Sequence, residues 1–481
     1  MTRPTAPNEF PPGEFDAPAP LEGAVFERLL RAGIAVDVTA YERAEHARDW
    51  WPRLIPLTGR GEVEHWPGAV VRPISTREVS ETLRIASEFH ILVTAQGGRS
   101  GVVGGAIPAP GALALDMTGL DRVVNIDEVS GSVRVEAGVF GPDLEGALRP
   151  LGLTVGHFPQ SFELATIGGW IACRGAGQYS NRYGKIEDIV RALTVVLASG
   201  EVIELGGRAP RQAVGPDLLQ LFVGSEGTLG VITEATLVAR ARPTYEARRA
   251  YRFATFAEGL DACRRISRRD ARPAVLRLYD DVESLRHFDL EGCALIVLDE
   301  GEERFVNATV AIVEDECGGA DTLDVGAVER WLERRNDVSA LAPLWEHGLV
   351  VDTIEVAGSW SVLDSLCERV CAALRSRDAM LVVSVHQSHA YLDGACLYFT
   401  FVGRPDGDVE GFYRSAWDVA IVEVIALGAS ISHHHGIGRN RARFASRALG
   451  PSFSLLQGVK AVLDPMSILN PGVLGLGGEP W

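Results

Sequence analysis

No stretch of this 481-residue chain approaches the roughly 20 uninterrupted apolar residues that a membrane-spanning helix needs. The N-terminus, MTRPTAPNEFPPGEFDAPAP, is proline-rich and polar and lacks the apolar core of a signal peptide, so it reads as a flexible lead-in. Basic residues are in short supply: 46 Lys and Arg against 64 Asp and Glu give a net charge of −18 at pH 7. Nucleic acid and an anionic membrane both require a basic footprint, and neither is expected as the main partner. A local basic pocket for an anionic substrate is still compatible with that balance. Cysteine is scarce, odd in number at seven and widely spaced, which excludes a disulfide framework. Cys367 and Cys371 stand four apart on a helical pattern without a second pair of ligands, and they read as core residues rather than zinc ligands. The cytoplasm is the expected compartment. No Gly-Lys-Ser/Thr follows a glycine loop, which excludes a Walker site, and no glycine spacing matches the Rossmann fingerprint.

What is present is enough chain for two domains of about 150–250 residues each. From about residue 68, short strands alternate with glycine turns and short helices: HILVTAQGGRSGVVGGA is a strand running into a glycine loop, and GSVRVEAGV alternates as a half-buried strand does. GPDLEGALRPLG reads as a helix stopped by Gly152, and IVRALTVVLASGEVIELG as a hairpin turning at Ser199-Gly200. Residues 245–400 alternate strands with amphipathic helices, an α+β arrangement with an antiparallel sheet. A helical stretch over 408–427 leads to the run SISHHHGIGR, and SFSLLQGVKAVLDP is the last helix.

Three glycine-bearing segments carry the strongest signal. TAQGGRSGVVGG places Gly97, Gly98, Gly101, Gly104 and Gly105 within twelve residues. Glycine lets backbone N–H groups turn inward and approach a pyrophosphate without Cβ clashes. HFPQSFELATIGGWIACRGAGQYSNRYGK and FVGSEGTLGVIT supply the second and third clusters. Three such clusters at strand ends suggest one extended ligand between layers of structure.

With VKAVLDPMSILNPG at 459–472, these motifs resemble the FAD-binding proteins of the vanillyl-alcohol-oxidase / p-cresol-methylhydroxylase (PCMH) type. The resemblance implies an α+β, two-domain PCMH-type fold with an antiparallel-sheet cap. Its expected divisions are a lead-in and helical segment at 1–63, the FAD domain at 64–242, the cap and substrate domain at 243–430, and a returning C-terminal segment at 431–481. It implies FAD contacts at Thr94, Ala95, Gln96, Gly97, Gly98, Arg99 and Ser100, and at Gln160, Ser161, Phe162, Glu163, Leu164, Ala165 and Thr166. The same carry-over covers Cys173, Arg174, Gly175 and Ala176, and Glu226, Gly227, Thr228, Leu229, Gly230, Val231 and Ile232. Gln96 to Gly105 holds no His or Cys for covalent attachment, so FAD is expected to be noncovalent.

The segments SISHHHGIGR, GACLYFTF, FPQSFELATIGGWIACR and AVLRLYDD are similar to alkyldihydroxyacetonephosphate synthases and their bacterial relatives, which exchange an acyl chain for a fatty alcohol without net oxidation. By that resemblance Tyr398 is the acid–base residue, His433, His434 and His435 line the site, and His157 and Arg277 contact substrate. A tyrosine beside imidazolium or flavin is expected to have a lowered pKa. If 433–435 is extended, His433 and His435 share one face and His434 takes the other.

The rival reading is an FAD-dependent oxidoreductase of 2-hydroxy acids (D-lactate type) or alcohols. Such dehydrogenases bind a divalent metal through His-x-Gly-Asp-Gly-Asn-x-His and a later Glu-His-Gly. Here VHQSHAYLDGACLYF keeps His386 and His389 but neither the Asp-Gly-Asn-x-His nor the Glu before His435, so no metal is expected. The synthases also carry an active-site arginine where this chain has Leu341, and leucine cannot take over a charge role. Arg334 and Arg335 stand nearby in sequence and read first as a solvated helix face. The substrate is expected to be a small or lipid-like molecule, and the resemblance leaves a homodimer and peripheral membrane contact open.

Overall fold

The computed structural model describes residues 10–11, 15–207, 209–337 and 341–478, so much of the proline-rich lead-in lies outside the described residues. Its N-terminal part is built on two sheets. In the first, the strands Ala69–Arg72, Leu113–Asp116 and Val93–Gln96 run parallel, and Ala35–Asp37 adds antiparallel at one edge. The helix Thr76–Phe89 makes the crossover; Ser75 caps its first turn by accepting the Glu78 N–H, and His90 ends it with a left-handed φ of 57°. The second sheet is an antiparallel five-stranded layer in the order Val123–Asp127, Ser132–Glu136, Val231–Val238, Val190–Val196, Val202–Gly206. Val196, Ala198 and Val231 of the second layer pack with Leu83, Val93 and Leu115 of the first in one core.

The C-terminal part is a seven-stranded, wholly antiparallel sheet. Its order is Asp321–Thr322, Tyr245–Phe253, Cys293–Gly301, Val275–Tyr279, Met380–Ala390, Gly394–Gly403, Val350–Ser359. Alternation sorts its two faces. Leu276, Leu295, Leu397, Phe399 and Phe401 bury against the helices Phe256–Arg268, Leu363–Arg375 and Val409–Ala426. The first of these helices starts in a reciprocal capping box between Thr255 and Glu258. The opposite face carries Val275, Tyr279 and Ile296, covered by Trp331 of the helix Gly326–Arg334, and beyond them a row of polar side chains. That polar half-face looks onto the glycine loops of the first part across one large cavity.

Two long-range ties hold the halves together. Trp51 sits in the core of the C-terminal sheet and donates its indole N–H to the Tyr413 hydroxyl at 2.8 Å. At the other end, Asn470 of the Asn-Pro-Gly ending donates to the carbonyls of Gly105 (3.0 Å) and Glu226 (2.7 Å) and accepts from Thr94. No helix among the described residues is long and apolar enough to cross a membrane.

Candidate active site

The glycine segments form one floor. A Cβ on Gly97 would lie 2.1 Å from the Thr166 hydroxyl, and one on Gly98 would lie 1.7 Å from the Leu164 carbonyl oxygen. Only glycine permits that approach, which brings the first two segments into backbone contact. The third joins through Glu226, held at a left-handed φ of 48°, whose carboxylate accepts the N–H groups of Ile437 and Gly438 at 2.7 Å each. Burial pushes the Glu226 carboxyl up to about 7 despite those two bonds. Cys173 is also held protonated: burial first, then the Glu226 charge, raises its thiol to about 12.

The cavity over this floor measures about 1100 Å³, above the roughly 300–1,000 Å³ of a site for one drug-sized ligand. It has room for a dinucleotide with a substrate beside it. Ala95 to Ser100, Gln160, Ser161, Ala165, Thr166, Cys173, Gly175, Ala176, Glu226, Gly227 and Gly230 to Ile232 line it. Thr94, Phe162, Glu163, Leu164, Arg174, Thr228 and Leu229 stand behind or outside that lining. Thr94 bonds Asn470, Thr228 bonds the Ser225 carbonyl, Leu229 is core, Phe162 packs on Phe158 and Trp170, Glu163 is exposed, and Arg174 pairs with Glu187. Leu164 is 7 % exposed and offers its carbonyl to the close approach of Gly98. Arg99 turns its guanidinium onto His46 at 3.0 Å. His157 reaches the cavity with neither ring nitrogen bonded, its ring against Trp170, and burial lowers its pKa to about 3.

The facing wall comes from strand register. Tyr279 pairs with His386, His386 with Tyr398, and Tyr398 with Glu355, so one transverse row of four side chains crosses four strands. A register shift between Gln387 and His389 sets His389 opposite Cys396, so His386 and His389, three apart, share the cavity face. His386 stacks on Tyr398 with centroids 4.8 Å apart. Arg277 Nη2 lies 3.0 Å from His386 Nε2 and Glu283 lies 2.9 Å from His386 Nδ1. An arginine only donates, so Nε2 accepts, Nδ1 carries the proton and gives it to Glu283, and the imidazole is neutral.

The histidine run is not extended. The Glu355 carboxylate, fully buried, accepts the consecutive backbone N–H groups of His433, His434 and His435 and the Ser432 hydroxyl, and this curls the run around it. His434 and His435 therefore both face the cavity, contrary to the alternation expected of a strand, while His433 turns aside to bond Tyr391 at 2.6 Å and His434 at 2.8 Å. Burial alone would raise the pKa of Glu355; Arg441, at 2.9 Å, leads the charges that instead hold it well below the carboxylate range.

Tyr398 and His435 meet here, with the phenol oxygen 3.1 Å from Nε2 and His435 Nδ1 3.7 Å from Glu355. Electrostatics reverse one expectation. Burial, ahead of the neighbouring charges, lowers His434 to about 3 and His435 to about 4, so no imidazolium stands beside the tyrosine. Burial raises the Tyr398 pKa rather than lowering it. Tyr398 is a phenol donating to a neutral imidazole, which is itself backed by an ionised carboxylate.

Glu355, Arg441 and Glu283 were missed in reading the sequence. The only signal is a glutamate between the core-facing Ile354 and Val356 of DTIEVAGSW, and its partners are 77 or more residues away. The donor atoms of His389, His433 and His434, and those of Glu355, Cys396 and His434, lie within 4.8 Å of one another. Hydrogen bonds already engage most of these atoms, including Ser180 on His389 Nδ1.

Residues 67–206 match the family model described as FAD binding domain, and residues 242–474 that of FAD linked oxidases, C-terminal domain. The Escherichia coli (strain K12) FAD-linked oxidoreductase YgcU, described as uncharacterized, is 32 % identical over 430 residues, covering 85 % of this chain and 89 % of the relative. The chain belongs to the FAD-linked oxidase family. FAD is the cofactor this family binds, and the glycine floor, which a Cβ would close, fits it. Among solved structures, an alkyldihydroxyacetonephosphate synthase superposes with a TM-score of 0.81 at 26 % identity, covering 95 % of this chain and 87 % of that one. p-Cresol methylhydroxylase, at 16 % identity and a TM-score of 0.76 over 94 % of this chain and 96 % of that one, shares the fold, which is therefore PCMH-type.

Proposed function

We propose that this FAD-linked enzyme is an alkyldihydroxyacetonephosphate synthase-like transferase that exchanges the acyl group of acyl-dihydroxyacetone phosphate for a fatty alcohol. In this reading 64–242 binds FAD noncovalently, 243–430 is the substrate domain, and 431–481 brings the histidines back to the cofactor. The observation that carries it is the Tyr398–His435–Glu355 line on the cavity wall. FAD would supply the electron-pair acceptor at the reacting carbon. Tyr398 takes a proton from that carbon as it gives its own to His435 Nε2, so the phenol stays neutral throughout and the proton comes to rest on the imidazole. Glu355 faces the imidazolium that results and is already ionised to stabilise it. Cys173, with its thiol held protonated, is a poor point of covalent attachment, which favours noncovalent flavin; flavin precipitating with acid-denatured polypeptide would refute this.

A second reading, an oxidoreductase acting on a 2-hydroxy acid or alcohol, is favoured by the 32 % identity to a relative named as an oxidoreductase and by Leu341. Anaerobic mixing separates the two. Flavin bleaching with fatty-acid release by acyl-dihydroxyacetone phosphate alone supports the transferase. Bleaching by a hydroxy acid, restored by an electron acceptor, overturns it in favour of the oxidoreductase.

A further inference from the structure

Leu341 is not an isolated loss of charge. It lines the cavity beside Leu344, Pro343 and Ile55, an apolar stretch of wall. The charge stands instead on and beside the helix Gly326–Arg334. Arg334 is exposed at the cavity, but Arg335 is only half-buried and is held from two sides: its guanidinium donates to Gln178 Oε1 at 3.1 Å, and Gln178 Nε2 donates to the Arg335 carbonyl at 3.0 Å. The Arg335 guanidinium lies 4.9 Å from the Tyr179 ring centroid and 5.6 Å from that of Trp331. Arg277 lies 5.6 Å from the same Trp331 ring. A solvated face would leave Arg335 untethered; here one amide and two aromatic rings orient it.

Neither Arg277 nor Arg335 has a carboxylate in ion-pair reach among the described residues, whereas Arg286 of the same wall pairs with Glu283 at 3.4 Å. Two aimed guanidiniums without a direct carboxylate partner, inside a cavity of a chain with net charge −18, call for an anion from outside the protein. Arg277 also bonds His386, which stacks on Tyr398, so the Arg277 end of the pair is one imidazole away from the proton-transferring phenol.

We propose that Arg335, with Arg277 across Trp331, is the specificity-determining clamp for an oxyanion head of the substrate, a phosphate monoester or a carboxylate a few bonds from the reacting carbon. The charge stands at the end of the helix Gly326–Arg334, and the space beside Leu341 is left to the apolar part of the substrate. The clamp rests on the reading that the Tyr398 wall is the active site, but not on which reaction occurs there.

The test uses FAD-loaded protein titrated with inorganic phosphate and, separately, with glycolate, following flavin absorbance and calorimetric heat. Arg335→Gln should weaken the preferred anion about tenfold or more, Arg335→Lys by less, and Arg334→Gln by under about threefold, all with unchanged FAD content. The anion bound more tightly names the head. The clamp is refuted if wild type binds neither anion, if R335Q stays within about twofold of wild type, or if R334Q loses as much as R335Q. Arg335-dependent binding without flavin bleaching by acyl-dihydroxyacetone phosphate would keep the clamp and remove the transferase reading; the reverse result would do the opposite.

Discussion

The cavity has two walls made in different ways. The cofactor floor is built from contiguous glycine segments whose backbones touch, so its specificity lies in what side chains are missing. The facing wall, which we propose takes the substrate, is built from side chains delivered by four strands, three helices and a curled histidine run that meet only in the folded chain. The floor should therefore fail by steric closure, and the wall by loss of a proton or a charge, with different measurable signatures.

The largest effect is expected at the floor. Gly98→Ala puts a methyl group 1.7 Å from the Leu164 carbonyl, a backbone group that cannot swing aside. The variant should purify without flavin and without activity, and added FAD should not restore its visible absorbance. A yellow, active G98A protein would mean that the loop does not need this approach. The wall should respond in the opposite way. Tyr398→Phe should keep stoichiometric FAD but lower kcat by about 10²–10⁴-fold, the usual worth of a positioned acid–base group. Rapid-reaction turnover with flavin content measured in parallel checks it; normal turnover would remove Tyr398 from the chemistry.

This contrast explains what could be read before folding. The floor was legible because its signal is local: Gly97, Gly98 and Gly168 each sit in one short segment next to a strand or helix end. The antiparallel cap was legible for the same reason, from alternation such as Leu397, Phe399 and Phe401. Tyr398 and the histidines are named by the resemblance, and the fold brings Tyr398, His434 and His435 to one cavity; their electrostatic state is not legible in the sequence, because burial is a property of the assembled cavity. The curl of 433–435 depends on Glu355, and the orientation of Arg335 depends on Gln178, 157 residues away. Nothing in WLERRND distinguishes Arg335 from Arg334 until that tether forms.

Smaller effects should follow from the buried neutral histidines, which occur on both sides of the cavity. His434 and His435 on the wall are lowered to about 3 and 4, and His157 by the floor to about 3, in each case chiefly by burial. Their folded pKa lies below the unfolded value, so the stability they contribute is present above about pH 6.5 and is lost as pH falls toward the folded values. Between pH 7 and 5 the unfolded chain takes up protons that the folded chain refuses, a loss of about 2 kcal/mol for each at pH 5. Urea midpoints measured across that range should show this loss, and H157F should remove about 2 kcal/mol of the wild-type decrease between pH 7 and 5. An H157F profile parallel to wild type would mean that this ring is solvated or charged in the folded protein.

The smallest expected effect is none at all, and it tests whether the wall works by moving protons or by holding a metal. His389, His433 and His434 converge closely enough to hold an ion. Four of their six ring nitrogens are nevertheless committed: His389 Nδ1 to Ser180, His433 Nε2 to Tyr391, and His433 Nδ1 to His434 Nδ1. A metal would have to break the last of these bonds, whereas Glu355, the nearby carboxylate suited to a hard cation, is already saturated by Arg441 and the backbone of the run. Prolonged chelation followed by gel filtration should therefore leave both turnover and thermal stability unchanged. Activity lost on chelation and regained with Zn²⁺ or Mn²⁺ would convert the histidines from a proton-handling wall into a ligand set, and the oxidoreductase reading would then displace the transferase.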